Sequence, residues 1–369
     1  MEDFGRIVFV GNCQIGAMWR VYERTLPPEL AGNAVFIQSY NAATPESRRA
    51  IVDADRLVWQ VTEYDQEIGR IDSPAPRFLV PMVICPFLWP FAGEPHPRNV
   101  SLPCLPEGPY PGEFGDAFLN RRIERGVDPA AAAAEYLAFD VAQERRVGRM
   151  AEITLDRQRR RDAACGDYDV AGLIERQLPY EPLFRSRGHL NPSILRHLAQ
   201  GLYAQMGGGR AFMQYLATTR YDDLVPHSEI PIHPSIARHF GLTYVHPARR
   251  YEFFTEGGFT FPEWAARYVA YAWNRDFHEA MRLAQQGDLM RAIPLWEQSM
   301  ATSPRSAIGR ANLAEILVRN GLAARAVRWI REAAALDPGN AEYRRRGAEI
   351  VAQAERDGAV LAGTQPAMA

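Results

Sequence analysis

Ile7-Val8-Phe9-Val10-Gly11-Asn12-Cys13-Gln14-Ile15-Gly16-Ala17-Met18 decides the fold. Four apolar residues in succession, β-branched or aromatic, suit a strand buried on both faces. Gly11 and Asn12 break the run as a tight strand-to-helix turn requires. Beyond them Ile15, Met18, Trp19 and Tyr22 recur at helical spacing. The pattern puts Cys13 and Gln14 at the carboxyl end of a central strand and at the start of a helix. Open α/β sheets bind ligands at that edge, and a helix N-terminus favours a thiolate or an oxyanion there.

Outward from this turn, Ala34-Val35-Phe36-Ile37-Gln38 predicts a second strand and residues 45–55 a helix. Arg56-Leu57-Val58-Trp59-Gln60-Val61 predicts a third strand that ends on polar Gln60, and residues 77–86 a fourth, cut by prolines. Strands alternating with helices imply a mainly parallel sheet flanked by helices. Residues 86–115 are rich in Pro, Gly and aromatics, and a loop that long in a compact domain is usually functional. Its aromatics are expected to wall a pocket. Residues 116–178 have helical patterning and are Arg-rich, with Arg145-Arg146 and the run from Arg157 to Arg161. Such charges form either a solvated helix face or a grip on a phosphorylated ligand, in which Arg159 and Arg160 are the candidates.

The chain has 369 residues, enough for two domains. A net charge of −2 gives no overall reason to expect nucleic acid or an anionic membrane as partner. No run approaches the 18 or so apolar residues of a transmembrane helix, and Met1-Glu2-Asp3-Phe4-Gly5-Arg6 is unlike a signal peptide. A cytoplasmic location is expected. Cys13, Cys85, Cys104 and Cys165 lack metal-ligand spacing, so reduced thiols and no metal are expected. All 42 basic residues are Arg. The absence of Lys excludes Schiff-base and pyridoxal-phosphate chemistry and any P-loop Lys.

The C-terminal part repeats. Gly287 and Gly321, Ala292 and Ala326, Pro304 and Pro338, and Ala307 and Ala341 lie 34 apart, with Leu283 matching Leu317 and Trp296 matching Ile330. This period, with small residues at helix contacts and a closing Pro, resembles tetratricopeptide repeats. The division expected is residues 1–272 for an α/β domain, 273–356 for two repeats and a capping helix, and 357–369 for a disordered tail. The repeats imply a protein partner.

Cys13 is the leading nucleophile candidate; its alternative is a small buried hydrophobe. A thiol nucleophile needs a base. His189 has the best setting, a polar Gly-containing turn before Asn191-Pro192 and a helix, with His227 and His233 in reserve. Asn12, Gln14 and Gln60 supply hydrogen-bonding groups at strand ends for an oxyanion.

Taken in order, Gly11-Asn12-Cys13-Gln14, the Gln60 strand end and Pro86-Phe87-Leu88-Trp89-Pro90-Phe91 resemble the WcbI-type polysaccharide biosynthesis family. Leu183-Phe184 with His189-Leu190-Asn191-Pro192, and Pro231-Ile232-His233-Pro234 through Leu242, agree. The resemblance spans residues 5–272. It implies an SGNH-like three-layer domain and acylation of a polysaccharide sugar hydroxyl, with coenzyme A or acetyl-coenzyme A as donor. Cys13 would accept the acyl group, His189 act as base, Asn12, Gln14 and Gln60 hold the oxyanion, and Gly11, Gln14, Arg159 and Arg160 hold the donor. The aromatic loop would cover the glycan. SGNH enzymes carry Asp three residues before their His, where this chain has Ser186, so a Cys–His pair without a carboxylate is expected. Two other readings use the same residues: a glycan esterase with water as acceptor, and a non-catalytic scaffold recruiting partners through its repeats.

Overall fold

The structure is a computed structural model that describes residues 5–25, 33–62, 71–99, 112–166, 168–218, 221, 229–253, 257–271, 279–280, 282–284, 286–302, 307–338 and 340–363. The chain divides into two compact units. The first takes Met1–Pro97, Tyr110–Arg249 and Thr260–Val269; the second takes Arg98–Pro109, Arg250–Phe259 and Ala270–Ala369.

In the first unit four strands, β1 (Ile7–Gly11), β2 (Ala34–Gln38), β3 (Arg56–Val61) and β4 (Arg77–Pro81), form a parallel sheet in the order β2-β1-β3-β4. β1 is buried at every position, which is why it reads as an unbroken apolar run. Its register sets Gly11 opposite Gln38 and Val10 opposite Trp59. Because β2 lies on one side of β1 and β3 on the other, the crevice between the carboxyl ends of β1 and β3 is the topological switch point. The fourth strand stops at Pro81, five residues short of the sequence expectation, and the Val83 amide is bonded to a side chain instead.

Helix α1 (Cys13–Thr25) buries Ile15, Met18, Val21 and Tyr22, the i, i+3, i+6, i+7 face that covers the sheet. Burial of such side chains is worth ~1.5–3 kcal/mol each. Tyr22 packs between Phe9 and Tyr203, with ring centroids at 5.7 and 5.8 Å, and Trp19 stacks on Phe36 at 5.8 Å. On the other face Val8, Val10, Ile37, Ile51, Leu57 and Trp59 form one cluster. Helix α2 (Pro45–Val52) starts with Pro45 in the first turn and with Thr44 accepting from the Ser47 N–H.

The Arg-rich stretch is a series of helices: α3 (Ala117–Glu124), α4 (Pro129–Ala138), α5 (Val141–Glu144), α6 (Val147–Ala164) and α7 (Val170–Gln177). Asp116, Asp128, Asp140 and Asp169 cap α3, α4, α5 and α7. Then follow α8 (Pro192–Gln205), α9 (Arg210–Thr218), α10 (Pro234–Phe240) and α11 (Phe261–Val269). In the 86–111 loop Leu88, Trp89 and Phe91 line a cavity of only about 20 Å³ together with Tyr136, Phe261 and Trp264, which is too small for a sugar. Phe87, Leu88, Trp89 and Phe91 are buried, with Phe91 against Phe118 and Tyr136 and the Trp89 indole donating to the Ile230 and Pro231 carbonyls. Residues 100–111 of that loop lie outside the described residues.

The second unit contains a hairpin of β5 (Tyr251–Phe253) and β6 (Gly257–Phe259), which the sequence reading left in the first domain. Among the described residues these strands pair only with each other. Then come α12 (Leu289–Thr302), α13 (Ala307–Arg319), α14 (Ala323–Leu336) and α15 (Ala341–Gly363). Leu283, Ala292, Trp296, Leu317, Ala326 and Ile330, the repeat-matched residues, share one core. Gly287 and Gly321 both have left-handed backbones, φ 81° and 73°. In each turn the glycine N–H bonds three residues back and the next N–H five back, Asp288 to Leu283 and Leu322 to Leu317. Such paired bonds close a helix with glycine at its C′ position. The last helix runs seven residues past the expected end at 356. Ala359-Val360-Leu361-Ala362 holds no proline to stop it, and residues 364–369 lie outside the described residues. No helix among the described residues is long and apolar enough to cross a membrane.

Candidate active site

The β1–α1 turn is built without a spare atom. A Cβ on Gly11 would stand 2.4 Å from Ile15 Cγ1 and 2.9 Å from Gln60 Cβ, so only glycine fits between the helix and β3. Asn12 caps α1: its Oδ1 accepts from the Gln14 N–H at 2.9 Å, and its own N–H donates to Gln60 Oε1 at 2.9 Å. Cys13, the first residue of the helix, is exposed.

Gln14, 4% exposed, uses its whole carboxamide. Its Nε2 donates to the carbonyls of Val83 (2.7 Å) and Gly188 (2.8 Å), while its Oε1 accepts from the Val83 N–H (3.1 Å) and Gln60 Nε2 (3.2 Å). Gln14 and Gln60 therefore hold the turn together. The oxyanion role expected of the Gln60 side chain meets atoms already bonded within the turn, and the Gln14 N–H, expected to share that role, donates to the Asn12 cap.

The turn carrying His189 is a tight reversal. Phe184 pairs with Leu190, the Arg185 N–H donates to the His189 carbonyl at 2.9 Å, and the Cys85 N–H donates to the Arg187 carbonyl at 2.8 Å. This sets His189 beside Cys13, which helps to raise the imidazole. A carboxylate joins them from a distant segment: Glu113 Oε1 lies 3.1 Å from His189 Nδ1 and accepts from the Gly188 N–H at 3.2 Å. The buried Ser186 hydroxyl donates to the same oxygen at 2.6 Å and faces His189 Nδ1 at 2.8 Å. Since the serine proton goes to Glu113, its oxygen is the acceptor for Nδ1–H. Nδ1 is thereby engaged, and Nε2 is the ring nitrogen left open to another partner. Phe114 stacks on the imidazole at 5.6 Å.

Sequence reasoning expected a pair without a carboxylate and missed Glu113. It lies 73 residues before Ser186 in a Pro/Gly-rich loop with no periodicity to mark it. Close backbone approach holds it there. The Gly93 N–H donates to the Gly112 carbonyl at 2.8 Å, and a Cβ on Gly115 would collide with the Glu94 carbonyl.

The charges follow. Burial opposes an imidazolium at His189, but hydrogen bonds and charge from Cys13 and Glu113 outweigh it and push the group up to about 10. Burial likewise tends to raise Glu113, yet His189, Ser186 and the Gly188 N–H hold it below the usual carboxylate range. His233 is a different kind of residue. Its Nδ1 caps α10 by accepting from the Ser235 N–H, and its Nε2 lies 2.8 Å from the Tyr136 carbonyl. Burial brings it down to about 4. His227 lies outside the described residues.

Arg159 and Arg160 are not part of this cluster. On α6 they are exposed and paired with Glu175 at 2.5 Å and Asp156 at 2.7 Å. A cavity of about 590 Å³ lined by Arg146, Arg149, Arg238 and His239 also contains none of the Cys13 cluster. No group of three or more His, Cys, Asp or Glu side chains suited to a metal ion occurs among the described residues.

Comparison with known proteins agrees with this architecture. The family described as polysaccharide biosynthesis enzyme WcbI matches residues 6–210, and a tetratricopeptide-repeat family matches residues 283–349. A solved structure of WcbI covers 78% of this chain and 98% of its own, with a TM-score of 0.51 and 14% identity. It is described as a novel polysaccharide biosynthesis enzyme, the native protein without a disulfide bond between coenzyme A and a cysteine. At that identity the likeness shows the fold. No curated protein sequence matches the chain. With its family match running over more than half of its 369 residues, the chain belongs to the WcbI family of polysaccharide biosynthesis enzymes.

Proposed function

We propose that the chain is an acyltransferase that moves an acyl group, acetyl in the simplest case, from a coenzyme A thioester to a sugar hydroxyl. The observation that carries this reading is the grouping of Cys13, His189 and Glu113, with Glu113 3.1 Å from His189 Nδ1, at the switch point of a parallel sheet. A thiol, a base and a carboxylate orienting the base are the parts of a nucleophilic acyl-transfer site. The description of solved WcbI as a form lacking a disulfide between coenzyme A and a cysteine gives the donor class.

In this reading the Cys13 sulfur attacks the donor carbonyl, the C–S bond of the donor breaks, and coenzyme A leaves as a thiol with the His189 proton. The sugar hydroxyl then attacks the Cys13 thioester, gives its proton to His189, and Cys13 is released. The oxyanion of each step meets the Cys13 N–H, a first-turn helix amide without a carbonyl four residues back, and the Asn12 carboxamide.

The test is intact-protein mass after incubation with acetyl-coenzyme A. A gain of one acetyl group that Cys13→Ala abolishes supports covalent transfer. No acetyl on the wild-type chain under single-turnover conditions removes it. Release of acetate without any sugar acceptor would instead identify an esterase.

A further inference from the structure

The cavity of about 590 Å³ is lined from two places in the chain. Arg146 and Arg149 come from the start of α6, Arg238 and His239 from the last turn of α10. Three guanidinium groups share it with one carboxylate, Asp140, which already accepts from the Gln143 N–H at 3.1 Å. Surface arginines ordinarily pair with a carboxylate or lie on other protein groups. Arg149 does so, with Glu152 at 2.7 Å. Arg145, just outside, donates to the Pro90 carbonyl and lies over the Phe91 ring. Arg146 and Arg238 have no side-chain partner among the described residues.

The backbone at Arg146 is unusual as well. With φ 50° and ψ 49° it is the one residue other than glycine at positive φ among the described residues. Such conformations gather at ligand sites, where the side chain is needed in a place that glycine would fill at less strain. The chain enters α6 there without a side-chain cap. Gly148 and Arg149, in the first turn, have no helical carbonyl four residues back, and their N–H end of the helix favours an anion. Gly148 also admits the neighbouring imidazole, since a Cβ there would stand 3.0 Å from His239 Nε2.

We infer that this cavity binds the diphosphate group of a nucleotide, with Arg146 and Arg238 as its principal cations. The guanidinium fork matches phosphate oxygens two at a time, and two forks from separate elements suit two linked phosphates. The volume lies within the roughly 300–1,000 Å³ of small-molecule sites, more than an inorganic ion needs. The inference stands apart from the transferase reading, because the cavity holds none of the Cys13 cluster.

The experiment is calorimetric titration of the full chain with inorganic pyrophosphate. Wild type should take up a single equivalent. Arg146→Gly and Arg238→Gln should each weaken binding by about tenfold. Glycine at 146 accepts the left-handed backbone, so the unfolding midpoint of Arg146→Gly should not fall, and its weaker binding is then not a folding defect. Arg159→Gln, which removes an exposed arginine paired with Glu175, should bind as wild type does. No uptake by wild type, full affinity in both cavity variants, or an equal loss in Arg159→Gln overturns the inference. Uridine diphosphate and coenzyme A then compete for the bound chain. Displacement by either upholds the inference and tells a free nucleotide from the donor's own diphosphate; displacement by neither leaves an inorganic-anion site and overturns it.

Discussion

The Gln14 carboxamide donates to the Gly188 carbonyl at 2.8 Å, fastening the turn that carries Cys13 to the turn that carries His189. The two residues are 174 positions apart, and neither touches a substrate in the reading above. What they set is the distance between a sulfur and an imidazole. Gln14→Ala leaves the Gly188 and Val83 carbonyls and the Val83 N–H without that partner. A stability loss of ~2–3 kcal/mol is expected in thermal unfolding. A misplacement of ~1 Å at reacting groups costs about 10²-fold in rate, and that is the loss expected in Cys13 acetylation. Gln14→Glu should be worse, because a carboxylate there faces two carbonyls. A Gln14→Ala protein with more than half the wild-type rate would show that the clamp does not position the pair.

Glu113→Gln tests the carboxylate that the sequence concealed. Glutamine keeps the shape and removes the charge, so His189 loses one of the groups that raise it. In wild type the His189 ring should titrate near 10 when followed by ¹⁵N NMR, and in Glu113→Gln its midpoint should move toward neutral pH. Acetylation of Cys13 should fall by roughly 10²-fold at pH 7, the lower end of acid–base contributions. An unchanged His189 midpoint would remove Glu113 from the site.

His189 and His233 should give opposite pH dependences of stability. His189 is raised from an ordinary value of 6.5 to about 10. Its contribution is thus complete below pH 6.5 and fades as pH rises through about 10. His233 is depressed from 6.5 to about 4, so the fold loses stability as pH falls from 6.5 toward 4 and the unfolded chain takes up the proton first. Unfolding midpoints of wild type, His189→Gln and His233→Asn between pH 4 and 10 separate the two. His189→Gln should flatten the alkaline decline, and His233→Asn, which keeps a capping oxygen, the acidic one. Loss of the acidic decline in His189→Gln would contradict the assignment.

Much of this was readable along the chain because the information is local. An all-apolar run before Gly11 fixes β1, and the helical spacing of Ile15, Met18 and Tyr22 fixes α1. The repeat is readable because Gly287 and Gly321 each need the same left-handed backbone. Cys13 and His189 were visible because each stands in a turn beside a helix. Glu113 and Ser186 were not, since their roles come from one contact across 73 residues between two irregular segments. The place of Phe87, Trp89 and Phe91 was not legible for a related reason. A Pro-rich aromatic loop has the same composition whether it folds outward over a substrate or inward as core, and only packing against Tyr136 and Phe118 chooses.

The repeat glycines give a test of the second unit that does not involve the site. Nothing lies within 4 Å of a Cβ built on Gly287 or Gly321, so alanine there meets no clash and carries only the cost of a left-handed backbone. That cost is ~1–2 kcal/mol per residue. The two turns lie 34 residues apart in sequence and cap equivalent helices, so Gly287→Ala and Gly321→Ala should destabilise by similar amounts, and their effects should nearly add in the double variant if the turns share no partner. Denaturant unfolding of the full chain, followed by the fluorescence of Trp296 and Trp329 in the repeat core, gives the numbers. Coenzyme A binding should be unchanged in both single variants. Asparagine at either position should recover part of the loss, because it tolerates this backbone better than alanine. If alanine at both positions leaves the transition unmoved, the left-handed turns do not hold the repeats closed.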